Sequence, residues 1–294
     1  MKSTLTKVLE AKAQLLVGNS RGESSVRLPD KDLEFIQRKK ELMKKRSAEI
    51  VKCNTNGQII SKNEVEGKTH LNYLVHFQYL IRQNKNLYVE EHCEERKAVF
   101  TLNKLIYDEE VQKQVDSFNE PIEREIGEET NRNFKYNRLA AVQYAERWWN
   151  DYNPKYKKFT DNCTNFISQC LHAGGAPMHG YPNRGNGWWM QNNNWSYSWS
   201  VANALRLYLS NSKKGLQARE VSSPRELLLG DLICYDFEGD GRFNHNTIVV
   251  AKDIAGYPLV NAQTQNSRMR YWSYYDSTAY TPNIKYKFFH IINN

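Results

Sequence analysis

KYKKFTDNCTNFISQCLHAGG, residues 155–175, is the stretch whose reading decides the fold. Thr160, Asp161 and Asn162 are residue types that cap helix starts. The run 164–173 is compatible with a helix, and Gly174-Gly175 stops it. Cys163 therefore falls in the first turn. There the unpaired N–H groups and the helix dipole favour negative charge, which is expected to lower a thiol pKa. Phe166, Ile167, Cys170 and Leu171 recur at helical spacing and form a buried stripe, which makes Cys170 structural. One cysteine at a helix start is weak by itself, because a nucleophile also needs a base and a group that orients the base.

The downstream sequence offers both. After Gly230-Asp231 a strand, LICYDF, leads into the turn EGDG. NHNTIVVAK follows as a second strand with His245 at its start, and after Ala255-Gly256 a third strand reads YPLVNAQT. This predicts an antiparallel meander. Asn261 and Gln263, two residues apart, share one face of the third strand. Either amide can hydrogen-bond the imidazole and fix its tautomer. Upstream, Leu139, Ala140, Val142, Tyr144, Ala145 and Trp148 predict an amphipathic helix, followed by a turn at Asn153-Pro154.

The ordered set DNCTNFISQCLHAGG, GWW, YSWS, LLGDLI, DGRFNHNTIVV and PLVNAQT resembles the bacterial "putative amidase" domain family, of the papain-like, NlpC-type thiol hydrolases. The resemblance covers about residues 136–292. It implies a cysteine amidase or peptidase acting on peptide amides such as those of cell walls, with Cys163 as nucleophile and His245 as base, and no metal or organic cofactor. In that family the residue before the cysteine is usually Asp and a second His usually precedes Thr on the next strand. Here those places hold Asn162 and Gln263. Gln263 is preferred to Asn261 as orienter on its family position. Tyr156 lies where such enzymes place a tyrosine near the nucleophile, and is expected to help bind the oxyanion with the Cys163 N–H. Its alternative role is packing. The two departures keep a second reading open: a papain-like binding module for a peptide or glycan that does no chemistry.

Asp161 and the loop aromatics Trp188, Trp189, Trp195 and Trp199, among many Asn and Gly, are expected to wall a substrate groove; the alternative is that the tryptophans cover the core. Asp236–Gly241 resembles half of an EF-hand loop, but its closing position is Thr247, so a plain hairpin turn is expected. His172, His179 and His290 have no catalytic context.

The first half reads differently. Helical spacing at Leu5, Val8, Leu9, Leu15 and Leu16 predicts one helix, and a second begins near Pro29 and Asp30 and ends in the basic run Lys44, Lys45 and Arg46. Three β-rich runs follow, 48–53, 73–81 and 98–107, with Asn56-Gly57 as a hairpin signal. His70, His76 and His92 among Glu90, Glu91, Glu94 and Glu95 match no ligand spacing and read as polar strand faces. The fold class is thus α+β: a small N-terminal α+β domain similar to cystatin-like or transport-factor-like regions, a polar linker over 108–135, and the papain-like domain. The domains are drawn as 1–130 and 131–294.

Composition sets the outer bounds. The 294 residues carry 41 Lys+Arg against 33 Asp+Glu, a net charge of +8, ordinary for a soluble globular chain. Nucleic acid is not expected as a partner, because no aromatic or Gly-rich motif sits beside the basic runs. No apolar stretch reaches the ~20 residues of a membrane span. Glu10 and Lys12 interrupt the start, so it does not read as a secretory signal; a cytoplasmic location, or export by an unrecognised route, is expected. The five cysteines are sparse and lack a C-x-x-C pair, which suits a reducing compartment.

Overall fold

A computed structural model describes residues 1–18, 28–111 and 134–292. They belong to two compact units, Met1–Lys113 with Ser273–Tyr280, and Gln114–Trp272 with Thr281–Asn294. The boundary expected near residue 130, and most of the expected linker, lie outside the described residues.

In the N-terminal unit, helices α1 (Lys2–Val17) and α2 (Asp30–Lys45) precede four strands. These are β1 (Ala48–Val65), β2 (Lys68–Gln83), β3 (Asn86–Thr101) and β4 (Lys104–Glu110), each paired antiparallel with the next. Asn56-Gly57 is not a turn: it sits inside β1, opposite His76 and Val75. The chain reverses instead at Glu66-Gly67, where φ values of 51° and 71° supply the two positive angles of a tight hairpin. At Gly57 a Cβ would lie 3.4 Å from Leu9, an ordinary contact that puts α1 over this part of β1.

Leu71, Tyr73, Val75, Phe77, Tyr79 and Ile81 alternate along β2 and are buried against Leu5, Val8, Leu9, Phe35 and Ile36 of the helices. Val75 and Phe77 oppose Glu94 and His92, and Tyr79 opposes Glu90, so these polar residues share the core face. The polar strand face expected there is thus in part a buried one. The physical reason lies on the helices. Lys12 Nζ donates to Asp32 and to both oxygens of Glu94, each at 2.9 Å, and lies over the rings of Phe35 and Phe77. Arg96 pairs with Asp32 at 2.7 Å and Glu94 at 2.9 Å. Lys39 pairs with Glu90 and, at 2.9 Å, with Asp276 from the segment Ser273–Tyr280. Burial alone would push Glu94 up, but Lys12, His92 and Arg96 hold its carboxyl well below the usual range.

In the C-terminal unit, α3 (Arg138–Trp148) and α4 (Cys163–Ala173) come first. A short hairpin, β5 (Met190–Gln191) and β6 (Asn194–Trp195), then leads to α5 (Tyr197–Ser200) and α6 (Ala202–Asn211). The remaining strands are β7 (Ala218–Val221), β8 (Leu232–Asp236), β9 (His245–Lys252), β10 (Pro258–Ala262), β11 (Ser267–Tyr271) and β12 (Lys285–Ile291). They form an antiparallel sheet in the order β11-β10-β9-β8-β12-β7, which contains the expected meander. Helix α4 packs against α3 and β9. It ends at Gly174, where a Cβ would come within 2.3 Å of the Tyr136 ring. Asp231, fully buried, accepts from Arg138 (2.6 Å), the Leu228 N–H (2.7 Å) and the Ile291 N–H (3.0 Å), so the LLGD segment ties the sheet to α3. The Asp236 carboxylate accepts three N–H groups of its own turn, those of Gly239, Asp240 and Gly241. That is hairpin chemistry.

Candidate active site

Cys163 opens α4, as its sequence context predicts. The helix start is not capped by its own Asn162 side chain. Thr264, just past the end of β10, supplies the cap: its hydroxyl accepts the N–H of Asn162 at 2.8 Å and of Cys163 at 3.1 Å. Thr264 has φ 82°, a left-handed angle that costs a β-branched residue free energy. The turn that holds it is bolted by its neighbour. Gln263 accepts from the Asn162 amide and donates to the carbonyls of Trp148 and Asp151. Asn162 in turn accepts from the Phe159 N–H (3.0 Å) and the Asn165 amide (2.9 Å).

The Cys163 sulfur lies 3.6 Å from the Thr164 hydroxyl, and the backbone N–H of Asn246, the second residue of β9, is near enough to favour its thiolate. The sulfur is thus brought to the chain position next to His245. The imidazole itself faces elsewhere. The Asn246 amide donates to Thr164 at 3.0 Å, on the side of α4. Strand alternation then turns His245 and Thr247 to the opposite face. There the His245 ring lies 5.6 Å from that of Tyr235 and 6.1 Å from that of Phe237, and the Tyr235 hydroxyl lies 3.2 Å from the Thr247 hydroxyl. The sulfur and the imidazole are not hydrogen-bonded, and joining them takes a change of backbone at the start of β9 rather than side-chain rotation alone.

Burial dominates the electrostatics. It pushes the Cys163 thiol up, although hydrogen bonds from Thr164 and Asn246 favour the thiolate. The expected lowering by the helix terminus is corrected: desolvation outweighs it. Burial, with Arg270 adding to it, lowers His245 to about 3. The resting groups are therefore a thiol and a neutral imidazole.

The other expected residues are placed as follows. Both amides proposed as orienters are engaged elsewhere: Gln263 as above, and Asn261 by donating to Glu146 (2.8 Å) and accepting from the Met269 N–H (2.8 Å). Neither contacts His245. Tyr156 stacks on Trp199, with ring centroids 6.0 Å apart, and is half-buried, which raises its pKa. It packs there, the alternative role that its position left open. Trp188, Trp189 and Trp199 are fully buried, so they are core and not groove walls; their indole N–H groups donate to Ser168, to the carbonyls of Asn183 and Asn186, and to Asn165. Trp195 is half-exposed, with Lys157 and Arg184 over its ring. Asp161 is close enough to Cys163 for its charge to disfavour the thiolate. Thr264, Thr164 and Asn246 were missed in the sequence. The available signal was Thr264 one residue after the strand's last polar position.

The chain belongs to the family described as "Putative amidase domain", whose pattern it matches over residues 135–289. It is 56% identical over 272 residues to "Uncharacterized protein YhbB" of Bacillus subtilis (strain 168), an alignment covering 90% of this chain and 88% of that protein. It is also 30% identical over 126 residues to "Uncharacterized protein YjcM" of the same organism, covering 40% of this chain and 28% of that protein. No solved structure matches. The family places the chain, at the coarse level, with amide hydrolases. Among the described residues no helix is long and apolar enough to cross a membrane, and no group of three or more His, Cys, Asp or Glu is arranged to hold a metal.

Proposed function

We propose that the C-terminal unit is a papain-like, NlpC-type cysteine amidase or peptidase in which Cys163 and His245 are the reacting pair. The observation that carries this reading is the Cys163 sulfur at a helix start, near the backbone N–H of Asn246, the residue that follows His245. A rearrangement of the start of β9 as substrate enters brings His245 to the sulfur, where it takes the thiol proton while the sulfur bonds to the amide carbon. The resulting oxyanion collapses, the C–N bond breaks, and the imidazolium gives its proton to the leaving amine. Water, deprotonated by the same imidazole, then cleaves the thioester, and the thiol is restored. Thr264, Gln263 and Asn162 hold the start of α4 and so fix where the sulfur points. Cell-wall peptides are one source of such amides.

The imidazole on the face of β9 opposite the sulfur favours a second reading, a peptide- or glycan-binding module without turnover. Replacing Cys163 with Ala separates the two. On the first reading it abolishes amide hydrolysis and leaves the melting temperature near that of the parent. Turnover that survives in Cys163→Ala removes the cysteine mechanism.

A further inference from the structure

The loop that wraps the start of α4 is unusual in its charge. The Asn165 amide donates to the carbonyl of Lys157 at 2.9 Å and the Phe159 N–H donates to Asn162 at 3.0 Å, which ties residues 157–159 to the first turn carrying Cys163. Residues 152–197 contain four cations, Lys155, Lys157, Lys158 and Arg184, and a single carboxylate, Asp161. Elsewhere in the chain Lys12, Lys39, Arg96, Arg138, Arg268 and Lys287 meet carboxylates, while Lys45, Arg206 and Arg225 lie over rings. None of the four loop cations meets a carboxylate among the described residues. Three of them, Lys157, Lys158 and Arg184, lie over rings instead. Lys157 Nζ sits 4.5 Å above Trp195, Lys158 Nζ 3.8 Å above Tyr152, and the Arg184 guanidinium 5.0 Å from Trp195 and 4.8 Å from Tyr197. Arg184 Nε also donates to the Trp195 carbonyl at 3.0 Å. A ring face holds a cation in place without neutralising it. The Lys side chains are exposed, so the charge is presented to solvent from a loop tied to the first turn of α4.

Resting on the amidase reading, we propose that this unit takes an acidic peptide, whose carboxylates pair with Lys157, Lys158 and Arg184 while a backbone amide lies at Cys163. A polyanion of phosphates would satisfy the same cations, but it carries no amide for the thiol to attack. Charge complementarity then acts mainly on encounter and selection of substrate.

The test uses the full chain carrying Cys163→Ala, so that binding is read without turnover. Two fluorescent octapeptides are titrated by anisotropy at low and high salt: one alternating Glu and Ala, the other alternating Gln and Ala. The glutamate peptide is expected to bind at least about tenfold more tightly, the difference shrinking in high salt. Lys157→Glu with Lys158→Glu is expected to remove that preference. The same reversal at Lys213 and Lys214, which lie outside residues 152–197, should leave it in place. Equal binding of the two peptides, binding of neither at millimolar concentration, or equal losses from both reversals would overturn the proposal. So would an octanucleotide that binds as tightly as the glutamate peptide. A failure here leaves the cysteine chemistry standing; loss of that chemistry leaves a measured peptide preference standing.

Discussion

The Cys163 thiol is pulled in two directions. Its place at the start of α4 favours the anion, while a nearly closed site favours the neutral thiol, and the second effect is larger. His245 is governed by the same physics with the opposite sign. Its folded value of about 3 lies below its ordinary 6.5. An unfolded chain takes up a proton as pH falls from about 6.5 and the folded chain does not. The contribution to stability is therefore complete above 6.5 and is lost progressively as pH drops toward 3, by at most about 1.4 kcal/mol per pH unit. Urea midpoints followed from pH 7 to pH 4 should fall more steeply for the parent than for His245→Gln. Parallel curves would show that the imidazole is not buried uncharged.

At the level of elements, α4 and the β8–β9–β10 meander were legible because both signals are local: helical spacing around Phe166, Ile167 and Leu171, and apolar runs separated by Gly-containing turns. The direction of the His245 ring was not, because it depends on which face of β9 meets α4, and only Thr164 meeting Asn246 decides that. Trp188, Trp189 and Trp199 read as a groove for a similar reason: indole rings line grooves and cores alike, and burial comes from the whole loop. Asn56-Gly57 misled because its turn chemistry is real but its partners in β2 continue past it. The cap on α4 comes from a turn about a hundred residues away, beyond any sequence window. Thr264→Ala removes that acceptor and should lower stability by about 1–2 kcal/mol relative to Thr264→Ser, which keeps the hydroxyl. Equal denaturation midpoints for the two variants would mean the hydroxyl does not cap the helix.

For the whole molecule, the N-terminal unit is not continuous in sequence. Ser273–Tyr280 belongs to it and brings Asp276 to Lys39, and Tyr275 to Glu41 at 2.7 Å. Nothing in those eight residues announces this, since an acidic residue in a Tyr- and Ser-rich stretch reads as a loop. Asp276→Ala leaves a buried ammonium with Glu90 alone, and should cost on the order of 2 kcal/mol. Calorimetry of the full chain checks this, and an unchanged melting profile would exclude a structural role for the segment.

The central claim is that Cys163 reacts with an acyl group with His245 as its partner. Its most direct measurement treats the folded chain with an acidic peptide bearing a C-terminal chloromethyl ketone and maps the adduct by mass spectrometry. The account predicts one adduct, on Cys163 and not on Cys53, Cys93, Cys170 or Cys234, which becomes much slower in His245→Gln. An adduct spread over several cysteines, or formed on Cys163 at the same rate without the imidazole, would contradict it.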